Sequence, residues 1–178
     1  MKKSKKHHLD FEIDKLTNSI ENAINGESQS TEVRLLLRTD LKQVSKKNQW
    51  LFDWKQEFLL PDRDVFKLVA QSAPNIIQGL ISITRHSDHI FMHLLESAHF
   101  NRGKGKLYLG VPANLVAYAC RLSFHQGSGG VVSFRSKTKL IEHYEKSLHA
   151  EHQGGHLMVI QTEAALILTD KYFPNSEL

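Results

Sequence analysis

Gly110-Val111-Pro112-Ala113-Asn114 opens an apolar stretch of helical spacing, directly after a loop that carries Arg102, Lys104 and Lys106. That pattern suits an anion. The first N–H groups of a helix have no partner inside it, and the macrodipole places about half a positive charge there. A phosphate fits such a place, and the basic residues upstream can neutralise more of its charge. Pro112 suits the first turn, where its missing N–H costs nothing. The 11 histidines suggest a second chemistry, since His86, His89 and His93, or His149, His152 and His156, could be imagined around a metal. No H-E-x-x-H spacing occurs and no cysteine lies near them, so no metal is expected. Cys120 sits among apolar helix positions and reads as a buried, inert thiol. Trp50, Phe52 and Trp54 could wall a pocket, although an aromatic stripe at strand spacing is usually core.

The elements that must hold these residues are clearest after residue 60. Val65–Ala70 and Ile76–Thr84 read as strands rich in β-branched residues. The RHSD stretch turns the chain, and His89–Glu96 runs back as the second strand of a hairpin. SAHFNRGKGK is loop. A helix follows from Pro112, with Leu115, Val116, Ala119, Cys120 and Leu122 on one side, and Gly127 stops it. Val131–Phe134 is a strand. Leu140, Ile141, Tyr144 and Leu148 share a helix face, with Glu142 and Lys146 four apart on the wet side. Leu157–Gln161 is a last strand and Glu163–Tyr172 a last helix.

The first 60 residues read less clearly. Phe11 and Ile13 suggest a short strand. Leu16, Ile20, Ala23 and Ile24 recur at helical spacing, with Gly26 as a stop. TEVRLLLRTDLKQVSKK predicts a strand and then a helix capped at Thr39 or Asp40. Trp50, Phe52 and Trp54 predict another strand. Strands that alternate with helices after an antiparallel meander predict a mixed sheet.

Length and composition set the bounds. A chain of 178 residues with 40% apolar and 24% charged residues suits one globular domain. No apolar run is long enough to span a bilayer, and no apolar stretch follows the basic start, so neither a membrane segment nor a secretory signal is expected. One cysteine cannot form an internal disulfide, which makes a cytoplasmic location the default. The net charge of +4 does not indicate a nucleic-acid binder. Lys2, Lys3, Lys5 and Lys6 supply it, and the remaining basic residues balance the 19 acidic ones. Residues 1–8 are read as a basic, disordered tail.

From Val65 to Phe173 the sequence resembles the GNAT superfamily of acyl-CoA-dependent N-acyltransferases. The resemblance rests on the hairpin IIQGLISI/HIFMHLLE, the loop-helix GVPANLVAYAC, the strand VVSF after a glycine turn, and LIEHYEKSLHA, which is similar to the family's "fYek.GF" signature. It implies an α/β (α+β) fold: a mixed, mostly antiparallel sheet flanked by helices on both faces, split near His89–Glu96 and Val131–Phe134. Residues 9–178 would form a single domain, with 9–60 as the variable acceptor side and 65–173 as the coenzyme-binding core. The implied reaction is direct transfer of an acetyl group from acetyl-CoA to an amine whose identity the sequence does not spell.

The resemblance also implies the site. The coenzyme pyrophosphate would lie on backbone amides of a pattern Q/R-x-x-G-x-G/A followed by a helix. With Gly110 as the first glycine, Pro112 stands at the second and Leu107 at the Q/R position, which departs from the pattern. Starting instead at Arg102, with Gly105, would run Gly110 and Pro112 inside the helix at a cost of several kcal/mol. Coenzyme contacts are expected from Leu94, Leu95, Glu96, Lys106, Gly110, Val111, Pro112, Ala113, Asn114 and Tyr144. A strand N–H near Leu94 to Glu96 would polarise the thioester carbonyl. Glu96 is the candidate base, with His99 second. Tyr144 is the candidate acid for the departing thiolate. Two alternatives come from other classes: a degenerate member that binds a coenzyme or partner without catalysis, and an acetyltransferase acting on charged tRNA. A homodimer is plausible through exposed strand edges.

Overall fold

The computed structural model describes residues 7–17, 19–175 and 177–178. The expected tail at 1–8 therefore lies outside the described residues, apart from His7 and His8. His7 meets the Phe52 ring edge-on at 5.7 Å, and His8 stacks on His156 at 4.3 Å.

Seven strands form the main sheet: β3 (Thr31–Leu35), β4 (Asp64–Ala70), β5 (Ala73–Arg85), β6 (Ile90–Ser97), β8 (Val132–Arg135), β10 (Leu157–Ile160) and β9 (Glu151–His152). They lie in the order β3-β4-β5-β6-β8-β10-β9. All pairings are antiparallel except β6 with β8. A small second sheet joins β2 (Ser28–Gln29), β1 (Ile20–Asn22) and β7 (Tyr108–Leu109). The helices are α1 (Trp54–Leu59), α2 (Val111–His125), α3 (Ile141–Leu148) and α4 (Thr162–Tyr172). This is the mixed, mostly antiparallel sheet that the resemblance implies.

Both faces of β5 are covered, which explains why Ile77–Ile83 is buried without a break and mostly apolar. Ile81 and Ile83 belong to the core cluster that also holds α2, Tyr144 and α4; Leu80 joins Trp54 of α1 in the other. Gly79 is required by a close approach, since a Cβ there would sit 2.7 Å from Val111 Cγ1 on α2.

Four expectations in the first 60 residues are corrected. Phe11 and Ile13 lie in no strand, and the only bridge nearby among the described residues is that of Leu9 to Ser136. The helix over Leu16–Ile24 does not form: Ile20 is buried in β1 and Ile24 is 90% exposed. Asn22 Oδ1 accepts the N–H groups of Ile24 and Asn25 at 2.9 and 3.2 Å, and Gly26 follows at φ 73°. That side-chain turn outcompetes the helix. The helix expected after Thr39 or Asp40 is only a 3₁₀ turn, Arg38–Lys42, and neither residue is its N-cap. The strand over Trp50–Trp54 is a loop followed by α1. Asp53 Oδ1 accepts Gln56 N–H at 3.0 Å and caps the helix.

β6 carries a bulge. Ser82 pairs with Leu94 but Ile83 pairs with Met92, so His93 is the extra residue. His93 Nε2 lies 2.8 Å from Thr84 Oγ1. Burial, aided by the Arg63 charge, lowers the His93 pKa from 6.5 to about 4. Between those values the unfolded chain takes up a proton that the folded chain refuses, so stability present above pH 6.5 declines as the pH falls towards 4. With partial screening the loss is on the order of 2 kcal/mol. Melting temperatures from pH 7 to pH 4 should show it, and His93→Gln should flatten that part of the curve.

Candidate active site

The parallel pairing of β6 with β8 is short. Ile90, Phe91 and Met92 face Val132, Ser133 and Phe134, and no described strand pairs with that side of β6 beyond Met92. The bulge at His93 bends the strand where its neighbour leaves. The two strands therefore part, as expected for this stretch, and leave backbone edge from Leu94 to Ser97 beside a cavity of about 700 Å³.

Leu95, Glu96, Lys106 and Pro112 all line this cavity. Leu94 does not; it packs with Trp54 on the α1 side. Gly110 is the N-cap of α2 at φ 86°, a conformation glycine adopts freely. Pro112 stands in the first turn, as expected. Val111 and Ala113 are fully buried. Asn114 donates to Thr31 Oγ1 at 2.9 Å, and its buried Oδ1 has no partner among the described residues.

Glu96 is more constrained than a strand-end carboxylate. One oxygen accepts Leu51 N–H at 2.7 Å and Arg102 at 2.9 Å; the other accepts Trp54 Nε1–H at 2.7 Å and Phe52 N–H at 3.3 Å. Arg102 also donates to Gln49 O at 2.6 Å. The basic loop is thus anchored at two points, by Arg102 here and by Lys106 on Asp14 at 2.9 Å.

Tyr144 is fully buried on α3. Its hydroxyl donates to the Phe11 carbonyl at 2.6 Å, and Phe11 itself lines the cavity. Burial, with Asp10 and Glu12 nearby, raises its pKa far above the usual 10, so it stays protonated at neutral pH. Burial likewise raises the Cys120 thiol far above its ordinary value.

The histidines do not converge. His86 and His89 stack at 4.7 Å beside Asp88, and no three His, Cys, Asp or Glu among the described residues are grouped to hold a metal ion. No described helix is long and apolar enough to cross a membrane.

Asp10, Phe11, Glu12 and Asp14 form a wall of the cavity that the sequence does not reveal. Leu9, Phe11 and Ile13 face inward while Asp10 and Glu12 face out. The alternation of apolar and acidic residues was the available signal.

No protein-family model matches the sequence, and no curated protein matches it significantly. Solved structures do match. A spermidine N-acetyltransferase chimera of Vibrio cholerae SpeG and hSSAT aligns with 79% of this chain and 99% of its own, at 15% identity and a TM-score of 0.57. The chain has the GNAT fold. A mutant AtaT toxin bound to the C-terminus of the antitoxin AtaR and acetyl-CoA aligns with 78% of this chain and 98% of its own, at 12% identity and a TM-score of 0.54. A KacTA–DNA complex gives 78%, 98%, 11% and 0.53. Of the residues expected at the coenzyme, Leu95 and Glu96 of β6, Lys106 of the basic loop and Pro112 of α2 share one cavity, whereas Leu94, Gly110, Val111, Ala113, Asn114 and Tyr144 do not line it.

Proposed function

We propose that this protein is an acetyl-CoA-dependent N-acetyltransferase acting on an amine. The observation that carries the reading is the Gly110 turn: its N–H, beside the Lys106 ammonium, already holds a carboxylate, that of Asp14, at 3.1 and 2.9 Å. A place that holds one anion suits the pyrophosphate of a coenzyme. The edge of β6 from Leu94 to Ser97 would offer an N–H to the thioester oxygen as negative charge develops there. An acceptor amine would form the new C–N bond as the C–S bond breaks, and give up its proton to solvent. Tyr144 would protonate the departing thiolate and take its proton back from solvent, which balances the proton the amine releases. Glu96 has both oxygens filled by four donors, so we assign it a positioning role on the cavity wall rather than that of the base.

The test is calorimetric titration with acetyl-CoA, with desulfo-CoA and ATP as controls. Saturable binding at about micromolar Kd, lost in Gly110→Glu, is the expected result. No heat at millimolar acetyl-CoA, either from the full chain or from its Asp14→Asn variant, overturns the reading. A binding module without catalysis is the second reading, favoured by one observation: Pro112 removes an amide where the resemblance leads one to expect a glycine. Binding without acetyl transfer to any amine of a broad panel would support it.

A further inference from the structure

The segment Leu9–Thr17 runs as a strap along the cavity, which Asp10, Phe11, Glu12 and Asp14 line. At one end Leu9 N–H donates to Arg135 O at 2.6 Å, and Lys137 N–H donates back to Leu9 O at 3.0 Å, at the end of β8. Asp10 pairs with Lys137. In the middle the Phe11 carbonyl takes the Tyr144 hydroxyl, and Ile13 N–H donates to His143 Nε2 at 2.9 Å. At the other end Asp14 takes the Gly110 N–H and the Lys106 ammonium, and Thr17 N–H donates to Tyr172 Oη at 3.1 Å.

This inference rests on the acetyl-CoA reading above, and it adds regulation to that site. The three groups that reading needs are an anion-binding amide, a lysine and a proton donor. Each one is already engaged by the strap. Asp14 is a carboxylate placed where the pyrophosphate would sit, so the two anions exclude one another. Phe11 O holds the hydroxyl that the thiolate would need. We infer that Leu9–Thr17 is an internal plug of the coenzyme groove, and that acetyl-CoA binds by displacing its Phe11–Asp14 portion.

The strap is held by those six hydrogen bonds and two ion pairs, of which Asp10–Lys137 is exposed and Asp14–Lys106 is largely buried, with Asp10 40% and Asp14 12% accessible. The exposed pair contributes modestly. Leu9 and Ile13 are buried, which explains why the segment docks at all. Such a balance suits a segment that can leave.

The experiment joins hydrogen exchange to acetyl-CoA titration, on the full chain and on an Asp10→Asn/Asp14→Asn variant whose near-isosteric changes leave the core intact. In the free protein the amides of Leu9, Ile13 and Lys137 should exchange slowly. Saturating acetyl-CoA should speed Ile13 by at least tenfold, and the variant should bind acetyl-CoA at least tenfold more tightly. Fast exchange of Leu9 and Ile13 without ligand overturns the plug, whatever the coenzyme does. Equal affinity in both chains, with Ile13 still protected, overturns it as well and leaves the coenzyme reading standing. Protected amides with no binding by either chain overturn both, and make the strap a permanent wall of the domain.

Discussion

Replacing Glu96 with alanine is expected to lower the melting temperature by about 10 °C. The side chain is buried, and it accepts hydrogen bonds from Leu51, Phe52, Trp54 and Arg102. Removing it leaves the Trp54 indole N–H and two backbone N–H groups without their acceptor, and Arg102 without its counter-charge. Breaking one side of a buried ion pair costs about 3–5 kcal/mol, and a domain of this size loses about 2–4 °C per kcal/mol. The same contacts bind the loop before α1 to β6, so their loss should also loosen the cavity wall at Leu51 and Phe52. Glu96→Gln separates this clamp from a general base. A clamp keeps some stability in the glutamine variant, since one amide oxygen still accepts, and activity falls in step with melting temperature. A base would lose at least 10²-fold in turnover with melting unchanged, and that result would return Glu96 to the chemistry.

Which parts of this molecule were legible depended on whether one local signal acted alone. At the start of α2, Gly110 and Pro112 pointed the same way as the apolar spacing, and the helix begins there. In β5 and β6 the β-branched and apolar run had no competing pattern. The tryptophan stretch carried two signals at once. Trp50 and Trp54 are consistent with alternation and also stand four apart, so the Asp53 cap decided between strand and helix. Around Ile20 the helical spacing was real, but Asn22 and Gly26 supplied turn chemistry that spacing alone does not register. The strap was hidden for a different reason. Leu9-Asp10-Phe11-Glu12-Ile13-Asp14 alternates as a strand should, yet its partners, Arg135, His143 and Gly110, lie about a hundred residues or more away. Nothing local says that a carboxylate will sit on an amide of another element. The role of Glu96 was illegible for the same reason, because three of its four donors come from the loop and helix before β4.

Tyr144→Phe is expected to reduce turnover by about 10²-fold or more, the range lost when a positioned acid is removed. Burial holds the proton on the hydroxyl well beyond the ordinary pKa of 10, which keeps it protonated throughout the neutral range but makes it a weak acid, so its contribution rests on a positioned hydrogen bond to the developing thiolate. Wild-type activity should therefore show no alkaline decline from this group until well above that value. The variant should lose only about 1 kcal/mol of stability, the net worth of one hydrogen bond, because the ring stays packed against Phe11 and Phe134 at 5.0 and 5.2 Å. Removing the hydroxyl also removes one hold on the strap, so acetyl-CoA affinity should rise as turnover falls. Opposite movements of this kind are hard to obtain from a structural role. Turnover at saturating donor and acceptor, measured beside the acetyl-CoA Kd, reads both. A fall in turnover with unchanged or tighter binding places the hydroxyl in the transfer step. Unchanged turnover with tighter binding would reduce Tyr144 to an anchor of the strap and leave the thiolate to be protonated by solvent.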